Sequence, residues 1–439
     1  MRGEPAAVRE IPRPDSFTLL SYVESEHWFA CGPRPRVRQG WKLYVPLTLL
    51  NASKLVEQMV PLMQASGFHF KYVKNIDLLR KLNAGMFGYP QIGKCFVIYA
   101  PAPKAGVIAQ LKELLTPYRD QCPAVPCALP FGDDIPLYYR YGSYVGPSIK
   151  VGDLQVDDDR ADIRCAVPAG VKDVLARHTA PVLGNPEMES FMLRYPAFEA
   201  IIQQGKCGVF RALNIESEVF QEVVLKVGYH RGQVQPDGTD GCSFLRRELA
   251  FYKVLEARGL ARLAPKLIDV LDIPRKVILV LEYISGPSLL TRKLMLTLTP
   301  KHLDRCWRII NKLHSGGVYL GDAKLANFIA TDDDVVRVVD FEAAGVIGKK
   351  PPEIRTFFIK PRPKDPCVAD RLHFLASVLF PYEKGEYSWS DRHVDLRSLL
   401  DQETYTDVTT WAKRKLRLEM MSRFPPPLKS HRLPRGNRS

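Results

Sequence analysis

Between Leu313 and Asp340 the chain sets Asp322 and Asn327 five positions apart, then runs through Val335-Val-Arg-Val-Val339 to a second aspartate, Asp340. This spacing constrains the fold more than any other feature of the sequence. One carboxylate can orient an attacking hydroxyl, and an amide oxygen five residues later can ligate a divalent cation only if both share one loop. A short apolar strand must then deliver the second metal ligand at its exposed end. Lys324, two residues after Asp322, adds a cation able to neutralise a transferred phosphoryl group. The chemistry implied is metal-assisted phosphoryl transfer.

The segments upstream follow in the order this reading requires. Gly205-Lys-Cys-Gly208 lies between two strand-like runs, where small residues let backbone amides approach phosphate oxygens, although a plain hairpin also explains two glycines. Val223-Val-Leu-Lys226-Val is a strand carrying a lysine suited to the α- and β-phosphates. Ser243–Ala257 has helical spacing of Leu245, Leu249, Tyr252 and Leu255, with Glu248 placed to pair with that lysine. Glu282, ending the apolar run that begins at Val277, is counted with the nucleotide-binding positions. Strands, one helix, more strands and then helices is the bilobal protein-kinase order, so ATP and Mg²⁺ are the expected cofactors, with Asn327 and Asp340 as metal ligands. The usual kinase histidine and arginine before the catalytic aspartate are Leu320 and Gly321, and the glycine after Asp340-Phe is Glu342. Gly-Asp in the loop resembles small-molecule and atypical kinases, whereas Lys324 resembles Ser/Thr protein kinases. Pro351-Pro352-Glu353 stands for the element closing the activation segment, and Asp370 is expected to open the next helix. That segment is short, so control by its phosphorylation is not expected.

Four broad readings are set aside by composition and local pattern. The opening residues MRGEPAAVREIPRPD have no apolar core, so no secretory signal is read there. The longest apolar stretch, Val277–Ile284, is broken by Glu282 and is far too short to span a bilayer. Nine cysteines, scattered except for Cys122 and Cys127, fit no zinc spacing and read as reduced structural thiols, giving a cytoplasmic expectation. Of the formal charge of +14, residues 411–439 supply +8, through nine cations against Glu419 alone. The Pro-rich ending PPPLKSHRLPRGNRS has no periodicity and reads as a disordered tail rather than a nucleic-acid surface.

At 439 residues the chain has room for two domains and terminal material. Strand-like runs at Trp41–Val45, Phe68–Val73 and Cys95–Tyr99 alternate with helical spacing at Lys54–Ala65 and Val107–Leu115 and a short helix over Asn75–Leu82. An α+β domain follows, with the acidic stretch Asp153–Asp162 and the turn-rich Pro181–Pro186 marking its end near residue 185. The expected division is 1–185, a kinase-like domain over 186–400, and a helical extension with a basic tail over 401–439.

Strand period two puts Lys42 with Tyr44, and His69 with Lys71, on faces opposite apolar ones. By itself this is also how a solvated sheet face reads. The runs GWKLYVPL, FHFK, Leu82-Asn83, Gly93-Lys94-Cys-Phe-Val-Ile-Tyr99 and Tyr139-Arg140-Tyr-Gly142, followed by a kinase order, resemble the class III lanthipeptide synthetases. Their N-terminal domain is similar to phosphothreonine lyases. The resemblance covers nearly the whole chain and ends before the cyclase domain that family carries next. It implies an α+β lyase-like domain ahead of the kinase, phosphorylation of Ser or Thr in a precursor peptide, and elimination of phosphate to dehydroalanine or dehydrobutyrine. It further implies Lys71 as the base, Lys42 and Arg140 as phosphate holders, and Lys94 as a further member of that cluster. Where the family has Lys-x-His the chain has Lys42-Leu-Tyr44. Tyr44 or His69 then stands in as proton donor, or the domain only binds phosphopeptide. Without a cyclase the expected product is a dehydrated linear peptide, unless a separate protein closes rings. The alternatives are a protein or small-molecule kinase whose first domain recognises substrate, and a pseudokinase scaffold with a basic tail.

Overall fold

The computed structural model describes residues 8–18, 21–162, 164–182, 184–331, 333, 335–349, 357–361, 363–380, 392–401 and 406–423. Pro351-Pro352-Glu353 and the Pro-rich tail lie outside the described residues. The chain mixes helix and sheet, an α+β architecture, as expected. By contacts it divides into two units, one of residues 1–246 with 267–283 and one of residues 247–266 with 284–439. The change of pattern near residue 185 coincides with a helix start, and the division between units falls further on, inside a helix. Among the described residues no helix is long and apolar enough to cross a membrane.

The first unit opens with β1 (Tyr22–Glu24), β2 (Trp28–Cys31), β3 (Gln39–Val45), α1 (Ala52–Ser66), β4 (His69–Val73), α2 (Ile76–Ala84), β5 (Phe96–Ala100), α3 (Ala105–Leu115), β6 (Leu129–Pro130) and β7 (Tyr138–Ser143). These strands form one seven-stranded antiparallel sheet in the order β1-β2-β4-β5-β3-β7-β6. Alternation decides its two faces. Trp41, Leu43, Val45, Phe70, Tyr72, Phe96 and Ile98 point into a core shared with Leu55, Val56, Met59 and Met63 of α1 and Ile108 and Leu111 of α3. Phe70 and Tyr72 stack on Phe96, with centroids 5.5 and 5.7 Å apart. α1 ends at Gly67 and α2 at Gly85, each in the left-handed conformation that closes a helix. A hairpin of β8 (Ser148–Val151) and β9 (Leu154–Asp157) follows.

After α4 (Pro186–Arg194), whose N-cap Asn185 accepts the Met188 amide, the unit adds a second sheet. It comprises β10 (Ala197–Gln203), β11 (Cys207–Asn214), β12 (Gln221–Tyr229), β13 (Leu267–Ile273) and β14 (Lys276–Glu282) in the order β10-β11-β12-β14-β13. α5 (Gly241–Ala257) leaves β12 and runs from the first unit into the second.

This sheet is seated on the first one's domain at named points. The β10–β11 turn brings the Gly205 amide to the Ala84 carbonyl at 3.4 Å, at the end of α2. Arg231 donates to the Asp120 carbonyl at 2.7 Å, and Arg275 donates to the Asp133 and Arg119 carbonyls at 2.5 and 2.8 Å. Both arginines hold positive φ, 56° and 72°, which side chains other than glycine adopt only where the surroundings require it.

The second unit contains α6 (Leu289–Leu294), α7 (Pro300–Ser315), β15 (Val318–Tyr319), β16 (Phe328–Ala330), β17 (Val336–Val338), β18 (Gly345–Val346), β19 (Phe357–Lys360), α8 (Pro366–Leu379), β20 (Arg392–Asp395), α9 (Leu396–Asp401) and α10 (Asp407–Arg423). Part of the basic stretch after residue 411 is therefore helical.

A Cβ added at Gly205 would lie 1.5 Å from the Asn83 carbonyl oxygen, whereas one at Gly106 meets nothing within 4 Å. Gly205→Ala is expected to cost about 1–3 kcal/mol through forced backbone displacement, and Gly106→Ala to be neutral or mildly stabilising. Urea unfolding of the two variants checks the contrast.

Candidate active site

Two groups of residues singled out by the sequence come together, one in each unit. On the face of the seven-stranded sheet away from the helices, the register sets His69, Tyr99, Lys42 and Arg140 side by side across β4, β5, β3 and β7. The neighbouring row is Lys71, Val97, Tyr44 and Tyr138. Lys94 enters from the turn before β5, and its Nζ lies 4.9 Å from the centre of the Tyr44 ring. Lys71 Nζ sits 4.3 Å over Trp28 of β2. This is not a solvated sheet face: Lys42, Lys94 and Arg140 are 8, 5 and 9 % exposed.

One carboxylate answers these cations from within. Asp158 accepts from Arg140 Nη2 at 2.5 Å and from the Ser143 amide at 2.9 Å, and Arg160 approaches its other oxygen at 3.6 Å. Burial alone would raise the Asp158 carboxyl, but the Arg140 and Ser143 bonds outweigh it and hold it below the ordinary range. The stretch Asp153–Asp162, which reads in sequence as the edge of a domain, thus supplies both the counter-charge and Arg160. No local pattern marks them, because an acid in an acidic run looks solvated until its burial is known. Beside this segment opens a cavity of about 710 Å³ lined by Phe87, Pro90, Gln91, Pro147, Asp158 and Arg160, among others.

Burial and mutual repulsion move the lysines down. Lys42 falls to about 7, by burial with Arg160, Arg140 and Lys94 adding and Asp158 opposing. Lys71 falls to about 8 by burial and Arg160, and Lys94 to about 8 by burial and Arg140. A fraction of each is a free amine near neutrality, and a free amine can remove a proton from carbon. Tyr44 is different. It is 4 % exposed, burial drives its phenol far upward, and one face of its ring is taken by Lys94. His69 Nδ1 donates to the Gly32 carbonyl at 3.2 Å, and burial lowers its pKa, which disfavours the charged ring.

Asp322, Lys324, Asn327 and Asp340 belong to the second unit. Asp322 and Asn327 are buried. Asn327 Nδ2 donates to the Asp322 carbonyl at 2.9 Å and to its carboxylate at 3.3 Å, which leaves the amide oxygen as the atom for a cation. Lys324 Nζ bonds Asp322 Oδ2 at 2.6 Å. The Val339 amide donates to the Asn327 carbonyl at 2.9 Å, so the β16–β17 hairpin brings Asp340 beside Asn327. Asp340 has φ +68°, a strained conformation of the kind concentrated at functional sites. Phe341, fully buried, fixes the next residue against Phe251 and Tyr252 of α5, with centroids 5.2 and 5.4 Å away.

Asp370 was expected to open a helix, and the structure corrects this. Asp365 caps α8, accepting the Cys367 amide with Pro366 at the first helical position, and Asp370 lies in the helix interior. There, completely buried, it accepts from the Leu320 and Gly321 amides at 2.6 and 2.7 Å and from His314 Nε2 at 3.0 Å. The aspartate holds the loop just before Asp322. Gly321, which replaces an arginine of the common kinase pattern, has φ +74°, and a Cβ there would lie 2.1 Å from the Ala343 carbonyl.

Lys226 of β12 belongs to the first unit and Glu248 to the second; both are buried, with exposures of 8 and 0 %. Glu282 ends β14, half-buried opposite Val223. Gly205 differs from expectation: its amide, expected to face phosphate, is engaged by Ala84 and its backbone rests on Asn83, so close packing explains this glycine. Gly208 likewise packs on Phe210 and Tyr229.

Residues 12–163, which carry Lys42, Lys71, Lys94, Arg140 and Asp158, match the family described as RamC, N-terminal domain. The chain is 27% identical over 401 residues, 81% of its length, to the probable SapB synthase of Streptomyces coelicolor, and spans about two-fifths (41%) of that relative. Both likenesses support the lanthipeptide synthetase resemblance drawn from the sequence.

Proposed function

We propose that the chain phosphorylates Ser or Thr in a precursor peptide with ATP and Mg²⁺ and then eliminates the phosphate, leaving a dehydrated residue. The observation that carries this reading is the excess of buried positive charge on one sheet face. Lys42, Lys94 and Arg140 are buried and Lys71 lies beside them, against the buried carboxylate of Asp158. Burying charge costs several kcal/mol per ion unless a partner repays it, so such a face is suited to a dianion. Phosphate on a peptide side chain supplies that charge and, as a leaving group, gives the lysines work to do. The reading assigns residues 1–185 to a lyase-like domain, 186–400 to a kinase-like domain and 401–439 to an extension.

In the kinase-like part, Asp322 orients the peptide hydroxyl and Lys324, bonded to it, is positioned for the transferred phosphoryl group. Lys226, with Glu248, serves the nucleotide phosphates. Mg²⁺ would be held by the Asn327 amide oxygen and Asp340, and when bound it neutralises phosphate charge. The residues fit that ion: Asn327 and Asp340 offer two oxygen donors, and Mg²⁺ commonly uses one or two protein ligands with phosphate oxygens and water. In the lyase-like part the free amine of Lys71 removes the α-proton, while Lys42 and Arg140 hold the phosphate.

Two variants separate the steps. With ATP, Mg²⁺ and a Ser/Thr peptide, the wild type gives a product lighter by water. Lys71→Ala is expected to accumulate phosphopeptide, its elimination slowed by about 10²–10⁴-fold. Equal products from wild type and this variant would leave only a kinase with a recognition domain. Asp322→Asn is expected to slow phosphorylation by at least about 10²-fold yet still to eliminate phosphate from a synthetic phosphopeptide, read by mass spectrometry.

A further inference from the structure

Phosphate leaves carbon readily only if the departing oxygen receives a proton, and the obvious donors in this site do not have one to give. Tyr44 is buried beneath Lys94 and holds its phenol proton tightly. His69 commits its Nδ1 proton to the Gly32 carbonyl, and burial disfavours a second proton on the ring. Arg140 is tied to Asp158, and a guanidinium does not release its proton in proteins. We propose that Lys94 is the proton donor of the elimination, its ammonium brought over the Tyr44 ring by a different chain segment from the strand that carries that position. The inference rests on the elimination reading above.

The geometry of the turn supports the assignment. Gly93, at φ +72°, lies so close to the Val125 side chain and the Ala124 carbonyl that a Cβ would meet them at 3.0 and 3.2 Å. The Lys94 amide donates to the Gln91 carbonyl at 3.1 Å, so the base of the side chain is fixed. Lys94 Nζ hydrogen-bonds to no protein group among the described residues, leaving its protons for a ligand. It stands over the row that holds Lys71, Val97 and Tyr44, so base and donor flank one stretch of sheet. Lys42 lies in the other row, directly across from Arg140, where a second phosphate-holding cation belongs.

The step balances. The neutral Lys71 amine takes the α-proton, and the C–H electron pair becomes the Cα–Cβ double bond. The Cβ–O bond breaks with its pair on the phosphate oxygen, which receives a proton from Lys94. Lys71 ends charged and Lys94 neutral, and exchange with water resets both. Elimination then needs Lys71 free and Lys94 charged. The groups facing Lys94 are Tyr44, Arg140, Arg160, Cys127 and Cys165. Both lysines titrate near about 8, so the rate rises through that pH as Lys71 is freed and falls beyond it as Lys94 loses its proton.

A synthetic phosphothreonine peptide without ATP isolates this step. Lys94→Arg keeps the charge but cannot donate; it is expected to bind the peptide within a few-fold of wild type and eliminate at least about 10²-fold more slowly, without the alkaline fall in rate. Adding Tyr44→His to it is expected to restore at least tenfold. Lys94→Gln, a smaller replacement, serves if arginine does not fit, with the same loss and the same rescue. Elimination by Lys94→Arg within a few-fold of wild type overturns the inference, making Lys94 a simple phosphate holder. So does loss confined to Lys42→Arg, which moves the donor to Lys42. Both outcomes leave the elimination reading standing, whereas a wild type that binds the phosphopeptide without converting it overturns the reading and this inference together.

Discussion

Lysines and an arginine crowded on one face of a sheet, with Asp158 as the buried carboxylate among them, form an arrangement that folding alone does not favour. Each buried charge loses hydration, and like charges repel across a medium that screens poorly. The protein tolerates it because the opposite face supplies a large apolar core with α1 and α3, and because Asp158 locks Arg140 in place. The same strain has a use. Burial that makes the ammonium form costly is what brings Lys71 to about 8, within reach of proton abstraction. In the proposed reaction, the hold on phosphate and the supply of free Lys71 amine would therefore have one cause, and weakening the positive surplus would diminish both.

The second unit solves its positioning problem by hydrogen bonds rather than by charge density. Asp370, buried inside α8, grips two successive amides of the loop and a histidine of α7. Asp322 follows directly, and Asn327 is pinned to it and to Val339. Residues that depart from the common kinase pattern are intelligible here. With the loop already held from below by Asp370 and His314, position 321 is free to be the glycine that its positive φ and the Ala343 carbonyl require. A departure from pattern at Gly321 thus records a local backbone solution and leaves the bonds among Asp322, Lys324 and Asn327 in place.

What could be read from the sequence follows from how local each signal is. Strand alternation paired Lys42 with Tyr44 and His69 with Lys71, because period two is a property of the chain itself, while the register of β3, β4 and β5 put the two pairs on one face. The spacing of Asp322, Asn327 and Asp340 was legible for the same reason: one loop and one hairpin contain it. Asp158, Arg160 and the docking of Lys94 over Tyr44 were not, since each depends on a segment remote in sequence arriving at the sheet. Gly205 shows the converse error. A glycine needed for close packing and a glycine needed for phosphate look alike in sequence, and only the position of Asn83 tells them apart. Asp370 was misassigned because a capping aspartate and an interior one differ only by the helix start, which Asp365-Pro366 fixes five residues earlier.

The seating of the second sheet bears on whether the first domain is an appended module. Gly205, Arg231 and Arg275 reach from three separate turns to carbonyls between residues 84 and 133, and two of the three accept unfavourable backbone angles to do so. Bonds from a guanidinium to backbone carbonyls are among the stronger neutral-acceptor contacts, at about 1.5–3 kcal/mol each, enough to repay the local strain. Removing the first domain would leave those turns strained and their donors facing water. The sheet that carries Lys226 is thereby built to be held from behind by the domain that carries Lys71. In the proposed sequence, a phosphoryl group placed by one part has to be removed by the other. Within the first unit, the strand bearing Lys226 and the sheet bearing Lys71 are thereby fixed to each other by packing and hydrogen bonds rather than joined by a loose linker.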